Sequence, residues 1–352
     1  MSSYGPQTRI LHINEVANVP STLVAHARQS GKQWALHRIP AGRGCPVRVL
    51  GSRLVDLERF SRFAHQADLI DLHYATNGYY GWGSIPLVLH LHGSDVRKDW
   101  QRPGLRYVIS RTLERADAVV CATPDLLEWV RPVRPDARWL PNPLPPQYVT
   151  APPAPVIPRR IFLSSRWDLT KGLDVLLPLA RELVERGYEV VGVDWGTHTA
   201  QARNAGVRLF PHCTPSEFAQ LLASAQVVVG QVEFSLLTMT DYQALSLGRP
   251  VIAAASVEGA PIAAVDVRTA PSSVQYPHAM PGDFRLWPHT GLTARDPQQI
   301  ANLVEAICAG DHVLADCPDN ALLRREWVME RHGVEVALAA VERVYREVLG
   351  EK

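Results

Sequence analysis

The 352-residue chain is short of several things, and each shortage removes a class of function. It has five cysteines, Cys45, Cys121, Cys213, Cys308 and Cys317. They are scattered, odd in number and without CxxC spacing, which argues against a disulfide framework and against structural zinc, and for reduced cytosolic thiols. No apolar run approaches the roughly 18 residues of a membrane span. The N-terminal MSSYGPQTRILHIN lacks the basic-then-apolar layout of a secretory signal, so a cytoplasmic chain is expected. Walker A, GxSxG and HExxH sequences are missing. Gly78-Tyr-Tyr-Gly81-Trp-Gly83 does not open a helix after a strand, so it gives no support to a dinucleotide site.

Lysine is scarce: four of the 36 basic residues, the rest being arginine. Up to Val156 the chain has 18 basic and 12 acidic residues, a balance of +6; the remainder has 18 and 23, a balance of −5, and the sum is the overall +1. The arginine-rich first half leaves contact with an anionic membrane surface open. No aromatic-basic RNA motif accompanies it, so no nucleic-acid partner is expected.

What is present is alternation. With 46% hydrophobic and 20% charged residues, the chain reads as globular, with room for two cores. Apolar runs at Ile10, Leu69, Leu87 and Ala118 read as strands, and periodic segments between them as helices. One helix is expected to begin at Ser21 or Thr22 as cap and to stop at Gly31. Pro141–Pro158 holds eight prolines in eighteen residues and reads as a linker, since proline suits neither helix interiors nor central strands. Beyond it the alternation resumes at Ile161, Val190, Val207, Val227 and Pro250, and closes with an amphipathic helix over Val334–Leu349. Such alternation implies parallel sheets covered on both faces. Ligands of open parallel sheets sit beyond the carboxyl ends of the strands. That rule selects the loops at 14–21, 73–80, 92–97, 164–171, 195–198, 211–214 and 230–241.

Arg159–Asp174, RRIFLSSRWDLTKGLD, is the richest of these stretches. A short strand leads into a loop carrying Arg166 and Lys171, and Gly172 then turns the chain into a helix. Two fixed cations beside a helix start form a recipe for holding phosphate.

In order and spacing, LHLHGSD (89–95), ADAVVCATP (116–124), LPNPLP (140–145), SRWDLTKGLDVLL (165–177), QALSLGRPVIA (243–253) and the terminal RHGVEVALAAVERVYREVL resemble the retaining glycosyltransferases of family 4. The resemblance implies an α/β GT-B fold: two Rossmann-like domains facing across a cleft, with a C-terminal helix crossing back to the first. The implied domains are an acceptor domain at 1–142, a linker at 143–158, a donor domain at 159–332 and the crossover helix at 333–352. It also implies transfer of a sugar from a nucleotide-diphosphate donor to a hydroxyl on a glycan, lipid or small molecule. No cofactor is expected beyond that donor substrate, and no metal, because no Asp-x-Asp motif is placed to bind one.

The resemblance puts Arg166 and Lys171 on the diphosphate and His92 near the transferred sugar, and these three are the candidate catalytic residues. Gly196 and His212 would lie near the base, and Asn18, Asn77 and Asp95 would offer polar contacts on the acceptor side. One departure stands out. With Gly248-Arg249-Pro250-Val251 fixing the register, the family's two glutamates become Ser235 and Gln243, and a glycine that approaches the donor becomes Thr238. Glu233 and Asp241 lie two residues off register, and Thr238, Asp241 and Gln243 join Arg166, Lys171, Gly196 and His212 as donor-binding candidates. Gln243 keeps a carbonyl acceptor for a ribose but loses the charge. A catalytically silent, ligand-binding relative is therefore the alternative. A sugar-nucleotide epimerase would need a base that the sequence does not show.

Overall fold

The computed structural model describes residues 4–40, 42, 45–81, 83–149, 155–230, 232, 237–254, 262–264, 296–312 and 315–350. Ser235, Glu233 and part of the proline-rich linker lie outside the described residues. The chain divides into two compact units, one holding residues up to Pro145 together with His332–Lys352, the other beginning at Pro146 and ending at Arg331.

In the first unit the elements are β1 (Ile10–Ile13), α1 (Val19–Gln29), β2 (Trp34–His37), α2 (Pro46–Ala64), β3 (Leu69–His73), β4 (Leu87–Leu91), α3 (Ser94–Arg97), α4 (Pro103–Arg115), β5 (Ala118–Cys121), α5 (Leu126–Val130) and β6 (Arg138–Trp139). The strands form one sheet in the order β2-β1-β3-β4-β5-β6, and every pairing is parallel. Each of β1, β3 and β4 is buried along its whole length, as expected of parallel strands covered on both faces.

The terminal helix belongs to this unit. In α12 (Val334–Val348), Ala337, Leu338, Ala340, Val341, Val344 and Tyr345 are buried. They share one core with Ile10, Leu69, Val88 and Val120 of the sheet and with Val19, Leu23 and Ala27 of α1. Spacings of three and four residues line these side chains along a single face. At its edge Lys32 Nζ meets Glu342 Oε1 at 2.7 Å.

The first helix starts earlier than its sequence suggests. It begins at Val19, and Asn18 takes the cap position at φ 60° with no side-chain capping bond. Ser21 and Thr22 thus fall inside the first turn, and the Ser21 hydroxyl donates to Glu15 and to the Asn18 carbonyl. Pro20 explains the shift: its fixed φ suits a first turn, where a missing N–H costs nothing.

The second unit repeats the theme with β7 (Arg160–Leu163), α6 (Leu173–Glu185), β8 (Glu189–Val193), α7 (Thr199–Asn204), β9 (Arg208–Phe210), α8 (Pro215–Ala223), β10 (Val227–Val229), α9 (Met239–Ser246), β11 (Val251–Ala254), β12 (Ile262–Ala264), α10 (Pro297–Ala309) and α11 (Pro318–His332, its last residue falling in the first unit). The sheet order is β12-β11-β10-β7-β8-β9. All its pairings are parallel except that of β12, which runs antiparallel to β11. Its core joins Ile161 and Leu163 to Leu176, Leu179 and Leu183 of α6 and to Ile300, Val304 and Ile307 of α10.

The terminal helix is a structural part of the first unit. Leu338→Ala is expected to cost about 3 kcal/mol, the usual loss for emptying a buried leucine site, read as a lowered urea midpoint with an unchanged m-value.

Candidate donor site and the histidine cluster

Trp167 organises the loop between β7 and α6. Its side chain is fully buried in the second core, and its indole N–H donates to the Val193 carbonyl at 3.1 Å. Its backbone is bonded to the loop after β8 in both directions: Trp167 N–H to Trp195 O and His198 N–H to Trp167 O, each 2.9 Å. Next door, Asp168 Oδ1 accepts from the N–H and the hydroxyl of Thr197, both at 2.9 Å. Those bonds, led by the backbone N–H, hold the Asp168 carboxyl below its ordinary range.

Gly196 is needed where these loops touch. Its φ is +129°, and a Cβ there would come within 2.6 Å of the Trp167 backbone. A short 3-10 turn, Leu169–Lys171, then leads through Gly172 at φ 75° into α6.

This arrangement leaves Arg166 half-buried at the mouth of a cavity of about 340 Å³. Phe162, Ser164, Ser165, Arg166, Val193 and Trp195 line one part, and His212, Phe218 and Thr240 another. Arg166 lies 5.1 Å from the centre of the Trp195 ring, which is itself half exposed and 5.6 Å from His212. The Arg166 Nε–Asp168 carboxylate distance is 3.5 Å, loose enough to leave guanidinium donors for another anion. The buried hydroxyl oxygens of Ser164 and Ser165 have no hydrogen-bond partner among the described residues. Of the residues expected from the sequence, the cavity thus gathers Arg166 and His212. Lys171 sits in the same loop, outside the cavity lining. Trp195, Ser164 and Ser165 are additions; the signal for them was only their place in loops beyond strand ends.

Thr238 and Asp241, two of the donor-side candidates, are bonded to each other. Thr238 caps α9, and Asp241, fully buried, accepts from its N–H at 2.7 Å and its hydroxyl at 2.8 Å. The other Asp241 oxygen faces Gly230, where a Cβ would lie 2.1 Å away. This carboxylate ties the helix start to the end of β10. Gln243 is half-buried one turn further along α9.

In the first unit the candidate residues fall at strand ends. Asn18 is exposed as the α1 cap, and Asn77 is buried in the 3-10 stretch Ala75–Gly81. Asp95 offers no outward contact. It is fully buried, and its carboxylate accepts from the N–H groups of Ala75, His92, Gly93 and Val96. Burial raises its pKa, and those four bonds oppose the rise. Asp95 therefore clamps the loop that carries His92.

Behind His92 runs an array of imidazoles. In the sheet register His12 stands beside Asp71, and His73 beside His90. His92 Nε2 is 2.9 Å from His73 Nδ1, and His73 Nε2 is 3.0 Å from His12 Nδ1. His90 stacks against both His73 and His92, at 4.8 and 5.1 Å. Burial pushes His12 down to about 4 and His73 and His92 well below the ordinary imidazole value. Burial alone would raise Asp71, but His73 and its fellow imidazoles hold it well below the usual carboxylate range. Tyr345 of α12 donates its hydroxyl to Asp71 Oδ2.

The buried Asp241 makes a pH prediction. Its pKa is raised by burial, against the Thr238 bonds, to about 6 in the folded chain from 3.8. A raised carboxyl pKa stabilises the fold fully below the unfolded value and loses that contribution as pH climbs to the folded one. Asp241→Asn removes this dependence. Relative to the parent, the variant should therefore gain about 2 kcal/mol between pH 4 and pH 7, measured by urea unfolding of both proteins at each pH.

Comparison with known proteins agrees with this geometry at the level of fold. Residues 17–148 match the family model described as Glycosyltransferase Family 4. No curated protein sequence matches the chain. Among solved structures, sucrose-phosphate synthase from Thermosynechococcus elongatus superposes with a TM-score of 0.67 at 18% identity, covering 98% of this chain and 100% of that one. HepE from Anabaena, solved with UDP and glucose, gives 0.66 at 14% identity over 96% and 99%. The catalytic domain of starch synthase IV from Arabidopsis thaliana, bound to ADP and acarbose, gives 0.65 at 11% identity over 97% and 99%. Residues 17–148 thus carry the Glycosyltransferase Family 4 match, and the chain as a whole has the GT-B fold of the glycosyltransferases it resembles.

Proposed function

We propose that the protein is a glycosyltransferase that moves a sugar from a nucleotide-diphosphate donor to a hydroxyl acceptor. The observation that carries this reading is the β7–α6 loop, pinned by Trp167, which holds Arg166 at the rim of an aromatic-lined cavity. The cavity volume suits a nucleoside, and Trp195 with its neighbour His212 supplies stacking surface for the base. The unpartnered hydroxyls of Ser164 and Ser165 are donors for phosphate oxygens. As the sugar departs, negative charge grows on the diphosphate, and cations fixed beforehand stabilise that change more than they stabilise the bound donor. Arg166 and Lys171 fill this role without a catalytic metal, and His92 positions the sugar. Retention of configuration follows from the family-4 resemblance. UDP and ADP in the relatives' structures favour a nucleoside diphosphate as leaving group.

Lys171→Ala and Arg166→Ala are each expected to lower turnover of any accepted donor by at least a hundredfold. Trp195→Ala should weaken nucleoside-diphosphate binding by about tenfold, through lost stacking. Calorimetry against a panel of nucleoside diphosphates and donor-consumption assays check both. Near-parent turnover in Lys171→Ala would sink the phosphate assignment. Gln243 favours the silent relative as second reading, because a neutral amide replaces the family's glutamate; failure of every nucleotide to bind would decide for it.

A peripheral membrane role is supported by α2. Val47, Leu50 and Leu54 of that helix are 77%, 62% and 59% exposed, and the same helix carries exposed Arg48 and Arg59, with Arg62 paired to Glu58. An apolar ridge flanked by arginines matches an anionic lipid surface. The protein should float with vesicles containing anionic lipid and not with zwitterionic ones, and Leu50→Asp with Leu54→Asp should abolish flotation.

A further inference from the structure

The buried cluster behind His92 contains polar atoms that hydrogen bonding leaves unsatisfied. Asp71 Oδ1 and both ring nitrogens of His90 are buried without a hydrogen-bond partner among the described residues. Asp71 itself is fully buried, and among the described residues its one hydrogen bond comes from Tyr345. An ionised carboxylate in such a place costs several kcal/mol unless a positive partner meets it. Among the described residues no arginine or lysine forms an ion pair with it. The imidazoles closest to it are those of His12, His73 and His90, 3.5 to 3.8 Å away.

Three ligand atoms converge at this point: His12 Nδ1, His73 Nε2 and the Asp71 carboxylate. Their separations are 3.0 Å between the two nitrogens, 3.5 Å from His73 Nε2 to Asp71 Oδ1 and 3.7 Å from His12 Nδ1 to Asp71 Oδ2. A tetrahedral zinc ion, with bonds of about 2.0–2.1 Å, separates its ligand atoms by about 3.3–3.4 Å. The observed triangle brackets that edge, so a few tenths of an ångström of side-chain movement would complete it.

The outer partners also suit a metal. With both facing nitrogens as lone pairs, His73 carries its proton on Nδ1 and donates to His92 Nε2 at 2.9 Å. His12 carries its proton on Nε2, directed at the Tyr345 hydroxyl 3.4 Å away, and that hydroxyl donates to Asp71. Ligating histidines and carboxylates are commonly held in this way by a second layer of hydrogen bonds. Neutral imidazole is the ligating form, so binding needs a change of tautomer and no loss of a proton.

We infer that His12, Asp71 and His73 form a buried site for one divalent transition-metal ion of the zinc class, held on β1 and β3 beneath α12. The set of two imidazoles and one carboxylate is borderline in softness, which suits Zn²⁺ and Co²⁺ and disfavours Mg²⁺ and Ca²⁺. The site lies behind His92, so the ion acts on the fold and, through His73, fixes which nitrogen of His92 carries the proton. It does not depend on the transferase reading. It runs against the expectation of a metal-free chain, which rested on the lack of a sequence motif; these three ligands come from two strands 59 residues apart in their nearest members.

The test uses the full chain, stripped with a chelator and titrated with Co²⁺. One equivalent should bind and give the intense visible absorption of tetrahedral cobalt, Zn²⁺ should displace it, and Zn²⁺ should raise the thermal midpoint. Asp71→Asn and His73→Gln should each abolish the cobalt spectrum while far-ultraviolet dichroism confirms folding. X-ray absorption of the zinc-loaded parent, which needs no variant, should count two imidazoles and one carboxylate. A stripped, folded parent that gives no cobalt spectrum overturns the inference. So does a spectrum that persists in a folded Asp71→Asn, or a zinc shell of other ligands.

Discussion

A single buried indole holds the loop of the proposed donor site together. Trp167 lies between two polar residues in a polar loop, yet its ring fills the core beneath β7 and β8 while its backbone joins the neighbouring loop. A large apolar side chain at that position removes the loop's freedom far more effectively than surface ion pairs could, since exposed pairs contribute about 0–1 kcal/mol. What the anchor holds in place is Arg166, the Asp168–Thr197 bonds and the glycine contact at Gly196. Electrostatic stabilisation of a departing phosphate depends on charges that are in place before the reaction. On the proposed function, the indole supplies that condition.

The two units use buried carboxylates in the same way. Asp95 gathers four backbone N–H groups behind His92, and Asp241 gathers the N–H and hydroxyl of Thr238 at the head of α9. Each turns a loop into a fixed shape at the end of a parallel strand, where ligands of such sheets bind. Burial raises the pKa of both, a cost that hydrogen bonds to backbone donors offset in part. Asp71 differs, because one hydroxyl is its only hydrogen-bond donor among the described residues, and that difference is what makes the imidazole cluster chemically suggestive.

The motifs legible in the sequence were those carried by contiguous residues. The strands from Ile10 to Ala118, the helix turned by Gly172 and the apolar stripe of α12 all follow from local periodicity and turn chemistry. Less legible were α10 and α11, and the two-residue strand β6, whose short or mixed patterns take their form from what they pack on. Asp95 and Asp241 read as ligand contacts because polar residues beside strand ends resemble site residues; only burial reveals them as loop locks. Trp195, Ser164 and Ser165 gave no signal beyond their position.

Alternation, proline punctuation and the RRIFLSSRWDLTKGLD stretch by themselves determined two parallel-sheet units and a cationic loop after the first strand of the second. Those features act over a few residues, and the backbone's hydrogen-bonding rules leave few alternatives. Tertiary structure alone decided which polar side chains reach a cavity, which are consumed by backbone donors, and that His12, Asp71, His73, His90 and His92 share one face of a sheet. Register between strands brings such residues together, and register is a property of the packed sheet.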